Sequence, residues 1–293
     1  MVNNINNNMA NLWTPIFLPF GSLTNWYDST DTTTLTLSTG NKVADWRDKS
    51  YDANNLSEVD YADLPVYGTT NINGLSTVDF DSATSINLDR VSSTPLGTTD
   101  YYIMYAGFNN TYTVPGTMYS FNNTSDGNYV TLKAVTSTVT QLIMNDGPTN
   151  LVTVQVSNIS NAVTIYTVDV VGDDVTCTLN YASSTATGTR TAPTSPLNSL
   201  TLGAQANDAV GLNGQIGELI VVQQDVITLA DKQKLEGYTA WKWGQVANLP
   251  GGHPYETAAP TVTDVEFRNK LYETSTEEGS SRFRRLFELG FVG

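Results

Sequence analysis

The sequence predicts an all-β protein built as an antiparallel β-sandwich. From residue 35 onward, short segments of about 4–10 residues recur in which apolar and polar side chains alternate. Groups of Ser, Asp, Asn and Gly separate these segments at 38–41, 125–128, 145–148 and 172–174. The connections are too short to hold crossover helices, so neighbouring strands are expected to run antiparallel.

The predicted strands are rich in Val, Thr, Ile and Tyr, which favour extended backbone. Cys177, the single cysteine, lies in one of them and alternates with Val175, Leu179 and Tyr181. We expect these four side chains to share one buried face, with Cys177 as an unreactive thiol. In chain order the predicted strands cover residues 34–38, 42–46, 75–81, 100–108, 117–121, 128–134, 138–144, 150–157, 162–171, 175–181, 199–203 and 216–222.

One helix is predicted after the last strand. Thr228 and Asp231 have the spacing of a capping box, and Gly244 supplies a residue that ends helices in the left-handed conformation. Between them Leu235, Tyr238 and either Trp241 or Lys242 recur at three- and four-residue spacing, which forms one apolar stripe. The pattern indicates a short amphipathic helix that packs on a sheet.

Composition excludes several classes of partner. The formal net charge of −15 disfavours binding to nucleic acid and to anionic membranes. No apolar run reaches the roughly 20 residues of a membrane-spanning helix, and the N-terminus lacks the pattern of a signal peptide. We therefore expect synthesis in a cytoplasm and no membrane insertion. A single cysteine excludes an intramolecular disulfide.

The two ends of the chain differ from the body. Residues 1–22 are rich in Asn and then broken by proline, which predicts an extended N-terminal arm. Residues 261–293 contain two potential amphipathic turns, at 265–272 and 283–289, which predict a C-terminal tail. The tail either packs on its own domain or docks on another subunit. The candidate docking residues are Phe283, Arg284, Arg285, Phe287 and Phe291.

Residues 212–255 carry a resemblance to a known family. They combine a strand that reads IGELIVV, the capped helix ending in Trp-Lys-Trp-Gly, and a loop that reads LPGGHPY. This stretch resembles the end of a concanavalin A-like, laminin-G-type jelly-roll module of bacteriophage structural proteins and bacterial surface proteins. Residues 25–50, with the turn Trp-Arg-Asp-Lys-Ser at 46–50, resemble the start of that module. Residues 72–81 resemble its next strand, although Ser82 replaces the usual Gly.

The resemblance implies a jelly-roll domain over residues 23–260, with one short C-terminal-side helix and extended arms on both sides. It also implies that the loop after the helix closes the fold. We expect the tryptophans to bury apolar area at the sheet edge, and the single histidine to bond backbone within the loop. The residues of this structural closing motif are Trp241, Trp243, Gly244, Pro250, His253, Pro254 and Tyr255.

Relatives of the module include glycoside hydrolases and calcium-binding proteins. Glu58 and Asp60 alternate as two carboxylates would on one strand face, but Pro65 follows closely and no apolar pocket is evident, so a solvated acidic loop is the preferred interpretation. We therefore predict no catalytic residue, no cofactor and no metal site. Calcium bound by Asp-rich turns is the alternative, with Asp28, Asp31, Asp79 and Asp81 as its ligands.

A sugar site is the other alternative, because stacking aromatic residues are abundant. The candidates for stacking are Tyr101, Tyr102, Tyr105, Tyr112 and Tyr119, although aromatic side chains in strands are more often core.

The preferred functional prediction is a non-enzymatic bacteriophage virion structural protein, either a capsid decoration or head-fibre protein or a tail-associated one. Its partners would be other virion proteins and further copies of itself, in a virion assembled in the host cytoplasm. The first alternative is an adhesin that binds host-surface carbohydrate. The second is a glycoside hydrolase that uses Glu58 and Asp60.

Overall fold

The computed structural model describes residues 12–81, 86–96, 100–110, 116–123, 127–145, 151–159, 161–191, 195–205, 211–223 and 227–275. Within these ranges the chain forms 17 strands, joined by turns and short 3-10 helices, and two α-helices. Every strand pairing is antiparallel, which confirms the predicted fold class. In this described part, neither helix combines the length and the apolar character needed to cross a membrane.

The strands are numbered in chain order. They are β1 (Leu23–Asp28), β2 (Leu35–Ser38), β3 (Lys42–Trp46), β4 (Leu56–Ser57), β5 (Val66–Ile72), β6 (Leu75–Phe80), β7 (Leu88–Leu96), β8 (Tyr101–Asn109), β9 (Gly116–Asn122), β10 (Tyr129–Thr136), β11 (Val139–Asn145), β12 (Leu151–Ser157), β13 (Ala162–Val171), β14 (Asp174–Leu179), β15 (Ser184–Thr189), β16 (Leu197–Leu202) and β17 (Gly214–Gln223). The helices are α1 (Leu229–Lys242) and α2 (Asp264–Ser275).

The strands form two sheets. In sheet 1, one edge of β17 pairs with β8, which continues through β13 and β14 to β15. The other edge of β17 is shared by β6 and β1. Sheet 2 has the order β2-β3-β4-β7-β16-β9-β10-β11-β12. Strand β5 pairs with both β3 and β6 and so joins the two sheets.

The two sheets bury their strands differently. In sheet 2, strand β11 alternates between buried and half-buried residues, as expected where one face packs on the core and the other is more open. In sheet 1 almost every residue of β8 and β17 is buried, because both faces are covered. The inner face packs against sheet 2, as the Tyr105 and Tyr119 rings show with centroids 6.2 Å apart. The outer face packs against α1 and the chain termini.

A β-bulge in β17 determines which side chains reach the outer face. The pairing of β17 with β8 shifts register between Ile216 and Glu218, which leaves Gly217 as the extra residue. Ile216 and Leu219 therefore both point into the core between the sheets. Strict alternation from Ile216 would place Glu218 in that apolar core. The bulge instead turns Glu218 to the outer face, beneath α1.

Helix α1 begins and ends as its sequence predicts. The Thr228 hydroxyl accepts a hydrogen bond from the backbone N–H of Asp231, and the Asp231 carboxylate accepts from the backbone N–H of Thr228. Gly244 follows the helix with φ +72°, a conformation in which a side chain would be strained. Leu235 is fully buried on the sheet side of the helix.

The two tryptophans at the end of α1 have different environments. Trp243 is fully buried and lies flat over Gly217 on the outer face of sheet 1, not at its edge. Trp241 is 39% exposed, so the expectation that both bury against the sheet is wrong for this residue. Residues that are two positions apart on a helix point in directions about 200° apart around its axis, so the side chains of Trp241 and Trp243 cannot both face the sheet.

The described part of each chain end packs on the outer face of sheet 1. Trp13 is buried, and its backbone N–H donates to the Pro260 carbonyl at 2.9 Å. Leu12 forms a bridge with Thr261. The Lys270 ammonium, from the second helix α2, donates to the Leu18 carbonyl at 2.8 Å. The chain thus has a helix beyond the one predicted, in the region of the first amphipathic turn. The predicted domain limits of 23–260 stay a prediction.

Several elements differ from the sequence-based expectation. Strands β1, β4, β5, β7 and β15 lack a clear alternating pattern and were not predicted. Cys177 is buried as expected, and burial raises its pKa to about 12. Tyr181 does not share its face, because Asn180 and Tyr181 adopt positive φ values of 46° and 64° and end the strand pattern. Tyr181 consequently packs among the apolar side chains on the outer face of sheet 1, beside α1.

We predict that Gly217→Ala destabilises the fold by about 1–3 kcal/mol, because overpacking a fully buried site strains it. A Cβ at Gly217 would lie 2.5–2.8 Å from three ring atoms of Trp243. The matched control is Gly251→Ala, where a Cβ would meet nothing within 4 Å. Its effect should stay within about 0.5 kcal/mol. Chemical denaturation measures both; equal stabilities of the two variants would contradict the packing described.

Candidate functional site

The centre of the outer face is a buried carboxylate. Glu218 is 1% exposed. Its Oε1 accepts hydrogen bonds from Trp26 Nε1 at 2.7 Å and from the Tyr238 hydroxyl at 2.8 Å. Its Oε2 accepts from Trp243 Nε1 at 2.8 Å. A carboxylate this deeply buried is stable only when such donors replace its lost water.

Lys242 contacts Glu218 directly, and Lys242 and Lys49 extend the network to two further carboxylates, those of Asp28 and Asp31. Lys242 Nζ donates to Asp28 Oδ1 at 2.7 Å, to the Tyr238 hydroxyl at 2.9 Å and to Glu218 Oε1 at 3.1 Å. Lys49 Nζ lies 3.0 Å from Asp28 Oδ2 and 2.9 Å from an oxygen of Asp31. The result is a buried network of alternating acidic and basic groups.

The network shifts the titration of its members. Burial alone would raise the pKa of Asp28, but the ammonium groups of Lys242 and Lys49 outweigh burial and hold that pKa well below its usual range. Burial would lower the pKa of Lys49, but the Asp28 and Asp31 carboxylates outweigh it, and this pKa is raised. Asp28 and Lys49 are therefore both charged at neutral pH.

Above this network lies a cavity of about 480 Å³, bounded by residues 12–14, α1 and the residues at 259–260. The exposed indole of Trp241 forms part of its wall and is held in place by a 2.8 Å hydrogen bond from Nε1 to the Tyr255 carbonyl. The apolar lining consists of Leu12, Trp13, Tyr238, Trp241, Ala259 and Pro260, and the polar lining of Thr14, Asp28, Thr30 and Lys242.

The cavity has the composition of a binding site for a small polar molecule with an apolar face. Aromatic rings offer flat surfaces for C–H groups, and a few polar groups fix orientation. Thr14 Oγ1 is buried and has no hydrogen-bond partner among the described residues. The Thr30 hydroxyl donates to Asp28 at 2.7 Å and keeps its own oxygen available as an acceptor.

The predicted closing motif is placed as follows. His253 is buried, and its Nδ1 accepts from the backbone N–H of Tyr255 at 3.2 Å. Its Nε2 lies 3.1 Å from Glu236 Oε2, a contact that was not predicted. Burial raises the pKa of Glu236, and His253 opposes that rise. The Tyr255 ring packs on Gly237 of α1. Pro250 and Pro254 are exposed in the loop.

The carboxylate pair proposed for hydrolysis does not form on a strand face. Strand β4 ends before Glu58, and Val59 beside it is 96% exposed. The Glu58 carboxylate accepts from the backbone N–H groups of Val59 and Asp60. Asp60 caps a 3-10 turn through the backbone N–H of Ala62. Both side chains thus stabilise a surface loop, as the preferred interpretation of the sequence has it, and the shared strand face that the hydrolase alternative requires does not form.

The remaining candidates do not assemble either. Tyr101, Tyr102, Tyr105 and Tyr119 are buried in the cores and offer no surface for stacking. Tyr112 lies outside the described residues, as do the five docking candidates of the tail.

The acids considered for calcium have other contacts. Asp28 and Asp31 contact Lys49, and Asp79 accepts from the hydroxyls of Thr69 and Thr70. Within the described ranges no three His, Cys, Asp or Glu residues are grouped to hold a metal ion.

Sequence reasoning missed the principal residues of this site. Glu218 gave a usable signal, because it is the single charge within the apolar run IGELIVV. For Lys242 the sequence pattern predicts only a possible place in the apolar stripe of the helix. Trp13 lies next to a proline-interrupted stretch that carries no strand or helix pattern. Its place in the cavity depends on the contact between Leu12 and Thr261, which no local pattern reveals.

Comparisons with known proteins give similarity at the level of the fold. No protein-family model matches the sequence, and no curated protein matches it. The Trypanosoma rangeli sialidase in complex with the inhibitor DANA is 6% identical, with a TM-score of 0.50 over 76% of this chain and 34% of the sialidase. The botulinum neurotoxin type G receptor-binding domain is 8% identical, with a TM-score of 0.48 over 67% of this chain.

A third similar structure is domain 4 of the extracellular arabinanase AbnA from Geobacillus stearothermophilus, in complex with arabinotriose. It is 17% identical, with a TM-score of 0.46 over 69% of this chain and 92% of that domain. The chain spans about half the length of the neurotoxin domain and about a third of the sialidase. At 6% identity the likeness to the sialidase establishes the β-sandwich fold alone.

We predict that Glu218→Gln costs about 2–4 kcal/mol of folding stability. The amide would turn an N–H₂ group toward an indole or ammonium donor that now meets a carboxylate oxygen. The control is Glu256→Gln, an exposed acid with one backbone hydrogen bond from Gly252. We expect a change of less than about 0.5 kcal/mol for the control. A Glu218→Gln variant as stable as the parent in urea would show that the buried network does not hold α1.

We predict that Asp28 makes stability depend on acid pH. Because its folded pKa is depressed, its contribution is fully present above the ordinary aspartate pKa of about 4 and is lost as pH falls below that value. The stability difference between the parent and Asp28→Asn should therefore shrink from pH 7 toward pH 2. Urea denaturation over this range measures it, and a difference that grows toward low pH would contradict the assignment.

Proposed function

We propose that this protein is a carbohydrate-binding β-sandwich that holds one sugar residue in the cavity beside Trp241 and performs no catalysis. The observation that carries the proposal is the exposed indole of Trp241 in the wall of a cavity of about 480 Å³, with Trp13 and Tyr238 as further aromatic lining. Ligand cavities of a few hundred Å³ with aromatic walls and few polar groups are typical of small-molecule sites.

The rigidity of the wall supports this proposal. Trp241 is anchored through its Nε1 to the Tyr255 carbonyl, and Tyr238 through its hydroxyl to Glu218. The Trp13 and Tyr238 rings pack edge to face with centroids 6.3 Å apart. Trp13 is only 1% exposed and supports the wall from within, so Trp241 is the ring on which a sugar would stack. Because the Trp241 ring is already fixed, it loses little freedom on binding, and little of the interaction energy is spent on ordering it.

The chemistry of the carboxylates favours binding over hydrolysis. A retaining glycosidase needs two carboxyl groups about 5 Å apart, one of them with a raised pKa to act as acid. Asp28 lines the cavity, but its pKa is lowered, and Glu218 is buried, where its oxygens accept from the indole N–H groups of Trp26 and Trp243. Neither group is placed to protonate a glycosidic oxygen.

The virion role expected from the resemblance stays a prediction. Its docking residues, Phe283, Arg284, Arg285, Phe287 and Phe291, lie outside the described residues. A sugar-binding cavity formed within residues 12–260 is compatible with attachment through a tail, since the two would use separate parts of the chain. Other copies of the chain and virion proteins are the partners that this prediction names.

We predict that Trp241→Ala lowers affinity for glycans by roughly tenfold or more, because it removes the stacking surface. Trp241→Phe should retain part of the affinity, since it keeps a smaller ring. The matched control is Tyr61→Ala, another exposed aromatic residue, distant in sequence and absent from the cavity lining. A glycan array with the full chain identifies ligands, and calorimetry compares the variants. Absence of binding to any glycan, or equal loss in Tyr61→Ala, would refute the proposal.

A further inference from the structure

The charged groups of the cavity, Asp28 and Lys242, are already paired with each other and with neighbouring groups. The three N–H groups of Lys242 match three acceptors, Asp28 Oδ1, the Tyr238 hydroxyl and Glu218 Oε1, at 2.7–3.1 Å. No N–H of this ammonium is left to hold a carboxylate or sulfate group of a ligand. An acidic sugar would have to displace a buried contact of Lys242 to gain one of its own.

Asp28 is occupied in the same way. Its Oδ1 accepts from Lys242 and from both the backbone N–H and the hydroxyl of Thr30, at 2.7–3.0 Å. Its Oδ2 accepts from Lys49 at 3.0 Å. Three of these four hydrogen bonds fall on Oδ1 and fill its acceptor positions, whereas Oδ2 keeps one acceptor position beside Lys49. The carboxylate is held by two ammonium groups, so neither lysine is free to pair with an acidic sugar.

The wider charge distribution opposes an anionic ligand further. The network contains the carboxyl groups of Asp28, Asp31 and Glu218 against the ammonium groups of Lys49 and Lys242, so acids are in excess. The whole chain carries a formal charge of −15. An approaching anion is repelled at long range and meets no unpaired positive group at short range.

The other groups that remain available are uncharged. Thr14 Oγ1 has no partner among the described residues, and the Thr30 hydroxyl can accept one further hydrogen bond. The Trp241 ring and the apolar residues Leu12 and Pro260 complete the walls. A pyranose or furanose ring with only hydroxyl groups matches this set, because it offers hydroxyls to the threonines and C–H groups to the rings.

We propose that the cavity selects neutral sugars and discriminates against their acidic counterparts. This inference rests on the proposed sugar-binding function and specifies the class of sugar. Thr14 and Thr30 are assigned as hydrogen-bonding residues, Trp241 as the stacking surface, and the Asp28–Lys242 pair as the element that leaves acidic ligands uncompensated.

The test is an array of neutral oligosaccharides in which each backbone is also present with a terminal sialic or uronic acid. The strongest neutral ligand and its acidic counterparts are then titrated calorimetrically against the full chain at low and high NaCl. We expect the acidic counterparts to bind at least tenfold more weakly. The neutral ligand should show little salt dependence, since screening acts only on charged partners.

Two substitutions test the residue assignment. Thr14→Val keeps the shape of the side chain and removes the hydroxyl, and should weaken the neutral ligand about 3- to 10-fold. The matched control is Thr36→Val in β2, an exposed threonine outside the cavity lining, which should bind as the parent does. Thermal unfolding of each variant verifies that the fold is retained. Equal affinity of Thr14→Val and Thr36→Val would overturn the role of Thr14.

The possible results distinguish a failure of the selection for neutral sugars from a failure of the proposed sugar binding. Preference for an acidic sugar, lost in Trp241→Ala, would overturn the selection for neutral sugars while leaving sugar binding at this cavity intact. Binding that Trp241→Ala does not weaken would place the sugar elsewhere and refute both. Absence of binding across the array would refute the proposed function itself.

Discussion

The arrangement of the outer face depends on one buried carboxylate. Removing the charge of Glu218 from water costs several kcal/mol, and that cost is offset only if donors surround it. The donors come from β1 through Trp26, from α1 through Tyr238 and Lys242, and from the residue after α1 through Trp243. A slide of α1 along the sheet would break several of these bonds together. The carboxylate thus specifies one position for the helix, where apolar packing alone would tolerate several.

The bulge at Gly217 is what makes this carboxylate compatible with the sandwich. Without the extra residue, Glu218 would point between the sheets, where the described core offers mainly apolar side chains. The missing Cβ also lets the Trp243 ring lie on the strand. One glycine therefore reverses the direction of a charged side chain and supplies the space for the tryptophan that pairs with it. The cavity follows, because Tyr238, Trp241 and Lys242 are fixed above that point.

Much of the fold was readable from local patterns, and the site was not. Alternation predicted β3 to the residue, and capping chemistry predicted both ends of α1, because these signals depend on neighbours in sequence. The bulge is different: IGELIVV reads as a strand whether or not Gly217 is an extra residue. The cavity requires the contacts of Trp13 with Pro260 and of Lys242 with Asp28, which join residues more than 200 positions apart. The spacing of residues within a local segment does not indicate contacts between such distant positions.

The two tryptophans at the end of α1 have different surroundings although they are only two residues apart. Both were expected to bury, yet the helical rotation between positions 241 and 243 sends one indole to the sheet and the other toward the termini. Trp243 donates to the buried carboxylate, whereas Trp241 donates to a loop carbonyl and keeps surface exposed. The hydrogen bond to the Tyr255 carbonyl holds the Trp241 indole in one orientation in the wall of the cavity, while part of the ring stays exposed. A ring that is both fixed and exposed is the feature on which the proposed sugar site depends.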